Sequence, residues 1–259
     1  VTTNSFAAPT TTTPNIQRAI DAATAGDIVN VSAGTFTGVD LSITKALSLK
    51  GVQAGVPATA TARAGGESII NGTGNSSSVV ISVNANNVTV DGLAINVRTP
   101  ARDGINVRTA NVAKPGDPTI GAYRTGINIR NNWIYANYTT TAQMQGVLFG
   151  ESDLNATQSV NAEIANVNLE NNYINLVSTA ATGGPRSVVL GNQFQGGSAS
   201  IFYSNFTVNG NTIFGSNVPF FQSQLRTRLN NMNITGNTFA NSRSGVSIAA
   251  TMTNSNFKI

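Results

Sequence analysis

Apolar and polar residues alternate along this chain in short bursts, and the bursts recur. Residues 127–135 read I-N-I-R-N-N-W-I-Y, and the same nine-residue pattern returns as V-T-V-D-G-L-A-I-N at 88–96, V-N-L-E-N-N-Y-I-N at 167–175, F-T-V-N-G-N-T-I-F at 206–214 and M-N-I-T-G-N-T-F-A at 232–240. Partial copies stand at 47–51, L-S-L-K-G, and at 257–259, F-K-I. The starts at 47, 88, 127, 167, 206, 232 and 257 are separated by 41, 39, 40, 39, 26 and 25 residues. Self-similarity at such periods marks a stacked, repeating architecture.

Within each copy the first and third residues are apolar (Ile127 and Ile129, Val167 and Leu169, Phe206 and Val208) and the second is small and polar (Thr89, Asn128, Asn168, Thr207, Asn233). That is the period of a strand with one face buried. The fifth residue is Gly or Asn (Gly92, Asn131, Asn171, Gly210, Gly236), the residue types that enter the left-handed backbone region most cheaply. A bend is expected there. After it come one residue that is Asn in four copies, an outward residue and an inward Ile or Phe. A second apolar strand is then predicted in each copy, at 104–107, 146–149, 187–190, 218–221 and 245–248. Short strands joined by bends and never by a helix describe one turn of an all-β solenoid.

On these repeats the chain resembles the right-handed parallel β-helix, or pectate-lyase-like, superfamily, from about residue 28 to the end. The resemblance implies a buried ladder of stacked asparagines along one bend, and Asn132, Asn172, Asn211 and Asn237 occupy the matching place. Leu93 interrupts it in the preceding copy. One domain over 15–259, with about seven coils, is expected. Residues 1–14, Thr-rich with Pro9 and Pro14, read as a leader or linker. A helix over 16–24, with Ile16, Ala19, Ile20 and Ala23 on one face, would cap the open end of the solenoid, whose first coil otherwise exposes its apolar interior. The stretch N-I-Q-R-A-I-D-A-A-T-A-G-D-I-V-N-V-S-A-G-T-F resembles the opening of secreted bacterial β-helix proteins, which implies secretion or display at a bacterial cell surface. The sequence stops inside a new copy of the repeat, so a further domain or partner is expected beyond the C-terminus.

Composition narrows the chemistry. With no Cys and no His, disulfides, thiolate or imidazole metal ligands and His-based acid–base catalysis are excluded. Charged residues make up 10% and the net charge is +4, although Arg98, Arg102, Arg108, Arg124 and Arg130 fall in one third of the chain. No nucleic-acid module accompanies them, so an acidic or neutral polysaccharide is the expected partner. No stretch is long and apolar enough for membrane insertion as a helix. Asparagines two residues before Thr or Ser, at 71, 75, 87, 137, 155, 205 and 233, match the glycosylation acceptor pattern, as chance allows in so Asn-rich a chain.

Stacked repeats place equivalent residues about 4.8 Å apart, so columns can be read from the alignment. The fourth position gives Lys50, Asp91, Arg130, Glu170, Asn209 and Thr235, an exposed column of alternating charge. The outward residue after the bend gives Ala94, Trp133, Tyr173, Thr212 and Thr238, with Tyr135 near. Either these rings form a platform for stacking on sugars, or long loops fold over and bury them. Extra residues at 98–103, 108–125, 136–145, 150–165 and 175–186 lengthen three consecutive coils and would wall a groove. Its candidate ligand-binding residues are Trp133, Tyr173, Arg130, Glu170, Arg102 and Tyr135.

Catalytic relatives in the superfamily use clustered carboxylates, often with His. Here seven Asp are scattered at 21, 27, 40, 91, 103, 117 and 153, with no Asp-Asp pair. A polysaccharide lyase acting on uronate polymers is the alternative: Ca²⁺ held by Asp91, Asp103 and Asp117 would acidify the proton, and Arg102 or Arg130 would remove it. No catalytic residue, metal site or cofactor is assigned. The leading expectation is a non-catalytic β-helix that binds carbohydrate or serves as a rigid adhesion or spacer module.

Overall fold

A computed structural model describes residues 15–74, 79–98, 103–109, 112–138, 144–150, 161–178, 185–191, 200–214, 218–222, 227–241, 246–248, 251–253 and 256–258. The expected leader, 1–14, lies outside them. The chain winds into a parallel β-helix built from three sheets, in which each strand pairs in parallel with the equivalent strand of one or both neighbouring coils. The first sheet runs through Ile28–Asn30, Ser48–Lys50, Val88–Asp91, Ile120–Arg130, Asn161–Glu170, Ile201–Asn209 and Thr227–Thr235, and ends on Thr251–Thr253 and Asn256–Lys258. Among the described residues the second and third sheets hold seven strands each, with Trp133–Tyr138 and Gln145–Phe149 as their representatives in the coil that begins at residue 127. Crossovers between parallel strands are right-handed as a rule, which gives the coil its hand.

The register is the one that the repeats predict. Ile127 pairs with Val88 on one side and Val167 on the other, Val167 with Phe206, and Phe206 with Met232. These inward residues are fully or almost fully buried and form one continuous core with the inward residues of the other two sheets. Burying each such side chain contributes about 1.5–3 kcal/mol.

Two bends shape each of the five full repeats. The expected one is present, with positive φ at Gly92, Asn131, Asn171, Gly210 and Gly236. A second, one residue before each repeat, has positive φ at Asn87, Gly126, Asn166, Asn205 and Asn231 and kinks the long strands of the first sheet. It also explains two of the glycosylation-like tripeptides: Asn87 and Asn205 occupy this left-handed position, and Thr89 and Thr207, two residues on, face outward. That recurrence is a product of the repeat and not of chance.

Inside the first-to-second-sheet bend the asparagine ladder is complete. Asn132 Nδ2 donates to Val90 O at 2.9 Å, and both its backbone N–H and its Nδ2 donate to Asn172 Oδ1 at 3.0 and 3.1 Å. Asn172 repeats this towards Ile129 O and Asn211, and Asn211 towards Leu169 O and Asn237. At Leu93 the side chain is lost but its N–H still donates to Asn132 Oδ1 at 3.0 Å. The ladder thus satisfies buried backbone groups that a tight bend would orphan.

The cap is the helix Asn15–Ala22, which starts one residue before and ends two residues before the expected 16–24. It stops because Thr24 turns back, its N–H donating to Asp27 Oδ2 at 2.8 Å. Ile16 and Ile20 are buried on the core. Gln17 exchanges hydrogen bonds with the Ser42 backbone, and Lys45 Nζ donates to the carbonyls of Asp21 and Ala23 at the helix C-terminus. Among the described residues no helix is long and apolar enough to cross a membrane.

Candidate functional site

The outward column of the second sheet is in the expected register: Trp133 pairs with Ala94 and Tyr173, and Tyr173 with Thr212. Alternation along the strand puts Tyr135 on the same face as Trp133. Their rings stack, with centroids 4.5 Å apart and planes 27° from parallel. Both are half-buried. The ring on Trp133 is therefore that of Tyr135, in its own strand, rather than that of Tyr173 one coil away. Tyr173 is only 7% exposed, which leaves little of its ring for a ligand and corrects the expectation of an open Trp133–Tyr173 platform.

Residues 51–66, an excursion from an early coil, run over the neighbouring bends. Gly55 N donates to Asp91 Oδ1 at 3.0 Å, Arg63 Nη1 to Asn131 O at 2.7 Å and Ala58 N to Asn171 O at 3.0 Å. The excursion thus crosses the bends of three successive coils, the last of them two residues before Tyr173. Its entry is seated by glycine: a Cβ on Gly92 would collide with Ala54 N and Gln53 C. Arg63 is clamped from behind, its Nε and Nη2 each 2.9 Å from the carboxylate oxygens of Glu67, both side chains being buried. Burial, and then the Glu67 charge, push the Tyr135 phenol above its usual range, and burial does the same for Tyr173.

The fourth-position column also holds its register, Lys50 beside Asp91, Asp91 beside Arg130, Arg130 beside Glu170. It is not uniformly exposed. Asp91 is buried and takes hydrogen bonds from Gly55, from Asn131 Nδ2 at 2.8 Å and from Arg130 Nε at 3.0 Å, so it joins the excursion to the coil. The Arg130 side chain remains 43% exposed. Glu170 is half-buried, and among the described residues no ion pair joins it to Arg130.

Of the remaining candidates, Arg102 lies outside the described residues. Arg124 is buried with its Nε on Arg108 O at 2.7 Å. The expected groove walls are in part strand, because 120–125, 136–138, 161–165 and 175–178 extend the sheets, and 99–102, 139–143, 151–160 and 179–184 lie outside the described residues. Asp91, Asp103 and Asp117 are not gathered: the first two are buried in different sheets, and Asp117 binds Thr119 in the loop before Ile120. Among the described residues no three carboxylates form a metal-sized group.

A feature that the sequence reading missed flanks the kinked strands. On the outside of the first sheet, Asn166 Nδ2 donates to Thr125 Oγ1 at 2.9 Å, Asn205 Nδ2 to Asn166 Oδ1 at 3.0 Å and Asn231 Nδ2 to Asn205 Oδ1 at 2.8 Å. Two residues on, Asn168 Nδ2 donates to Asn128 Oδ1 at 2.8 Å. Aligning the copies from one residue further upstream would have revealed the outer column.

No family model matches the chain, and no curated protein does. Among solved structures it is similar to a pectin methylesterase from Aspergillus niger, in a penultimately deglycosylated crystal form. The match has 12% identity over 96% of this chain and 87% of that one, with a TM-score of 0.28. At that likeness no site residue carries over.

Proposed function

We propose that this protein is a non-catalytic β-helix, secreted or displayed at the cell surface, that binds carbohydrate at the Trp133–Tyr135 pair. The observation that carries the reading is that pair itself: two stacked, half-exposed rings on the outside of a rigid sheet. Aromatic faces offer large apolar area at little conformational cost. Strand pairing and the contact between the two rings hold them in place, so little ordering is left for a ligand to impose.

Trp133 is the single Trp, which makes its emission a direct report on this site. Titration with neutral and uronate polysaccharides, with and without Ca²⁺, should give a saturable spectral shift with one glycan class, and Tyr135→Ala should weaken it. If no glycan moves the emission, the reading fails and a rigid spacer or adhesion module takes its place. Product release from a uronate polymer would instead establish the lyase alternative.

A further inference from the structure

We propose that the outer face of the first sheet carries a second and separate binding site, a groove along the solenoid axis that takes a linear, uncharged glycan. The groove encloses about 390 Å³ and is lined by Asn166, Asn168, Asn205, Thr207, Asn231 and Asn233. These residues form two parallel columns. Asn166, Asn205 and Asn231 occupy the left-handed bend, and Asn168, Thr207 and Asn233 face outward two residues on. None belongs to the Trp133–Tyr135 pair, so this site goes beyond that reading and does not depend on it.

The lining contains no charged and no aromatic side chain, which gives an anionic polymer no counter-charge and leaves hydrogen bonding as the means of recognition. A carboxamide has two N–H donors and an oxygen with two lone pairs. In the bend column each rung from Asn205 to Asn231 uses one donor and one acceptor of its neighbour, so a donor and an acceptor per residue remain for a ligand. A donor and an acceptor side by side match a pair of adjacent sugar hydroxyls, each of which both donates and accepts.

Two further properties favour a polymer. The hydrogen bonds within the bend column already fix its side chains, so the entropy of ordering them is not lost again on binding. The columns also repeat at the coil spacing of about 4.8 Å, so successive units of an extended chain lying along the axis meet equivalent groups.

The test uses the whole protein and a panel of cellohexaose, mannohexaose, xylohexaose and maltohexaose, with hexagalacturonate as the charged control. Side-chain amide resonances of Asn168, Asn205 and Asn233 are followed by NMR in the wild type. One neutral hexasaccharide should shift them saturably while the Trp133 indole stays still. In the variant Asn205→Gly, Asn231→Gly, Thr207→Val, where Gly keeps the positive φ, affinity for that sugar should fall at least about tenfold. Trp133→Ala should leave it unchanged. The proposal is overturned if no hexasaccharide moves these amides, if hexagalacturonate moves them as strongly, or if the groove variant binds as the wild type does. Should the variant not fold, the wild-type amide shifts decide alone. A shift confined to the Trp133 indole would support the aromatic site and refute this one.

Discussion

Arg63 Nη1 donates to the backbone carbonyl of Asn131 at 2.7 Å, across 68 residues of sequence and on to the next coils of the solenoid. The same guanidinium forks on to Glu67. Cutting either side of this pair strands a buried charge. Arg63→Met or Glu67→Gln should therefore each lower stability by roughly 3–5 kcal/mol, and the double substitution by less than the sum. Urea unfolding measures the loss.

The inner ladder yields a sharper contrast. Asn172→Ala removes the donor to Ile129 O and the shared acceptor for Asn132, so about 2–4 kcal/mol of destabilisation is expected in thermal or denaturant unfolding. Asn237, half-buried in the last described rung, should lose less on the same change.

Backbone geometry at the kinked strands can be tested without touching the core. Asn166 sits at φ 53°. Asn166→Gly should stay within about 1 kcal/mol of the wild type, whereas Asn166→Val should cost about 1–2 kcal/mol, because a β-branched residue resists that region. Gly92→Ala should be worse than either, since its Cβ meets backbone of the excursion that cannot retreat.

Alkali should unfold this protein through Tyr203. Its ring is fully buried edge-on to Phe206 and its hydroxyl donates to Phe149 O at 2.6 Å. Burial pushes the phenol far above its ordinary range. The folded state thus keeps a proton that the unfolded state releases near pH 10, so this contribution to stability is whole below about pH 10 and declines as the pH rises beyond it. Tyr203→Phe should flatten the decline. The substitution itself should be mild, about 1 kcal/mol, because Gly191 N still donates to Phe149 O at 3.0 Å. Phenolate absorbance against pH, followed alongside unfolding, checks both.

The sequence disclosed the coil because the coil is local: alternation at Ile127 and Ile129, a left-handed Asn131 and a ladder residue at Asn132 lie within six positions. Column register followed from the same repeats. What stayed hidden is long-range. Arg63 reads as an ordinary charged residue in a loop until the fold brings Asn131 to it, and one of the donors to Asp91, the Gly55 N–H, comes from that loop rather than from its own strand. The outer asparagine column was hidden for another reason. Its residues stand one place ahead of the apolar position from which each copy is counted, and they look like the polar connections that the bend at Asn131 already explains.

The reach of residues 51–66 alters how the solenoid comes apart. A stack in which each turn touches only its neighbours unravels from its ends, one turn at a time. The splint from Gly55, Ala58 and Arg63 to Asp91, Asn171 and Asn131 ties several turns into one unit. Hydrogen exchange should accordingly find a block around these bends that opens all at once, with fraying halted at its margins.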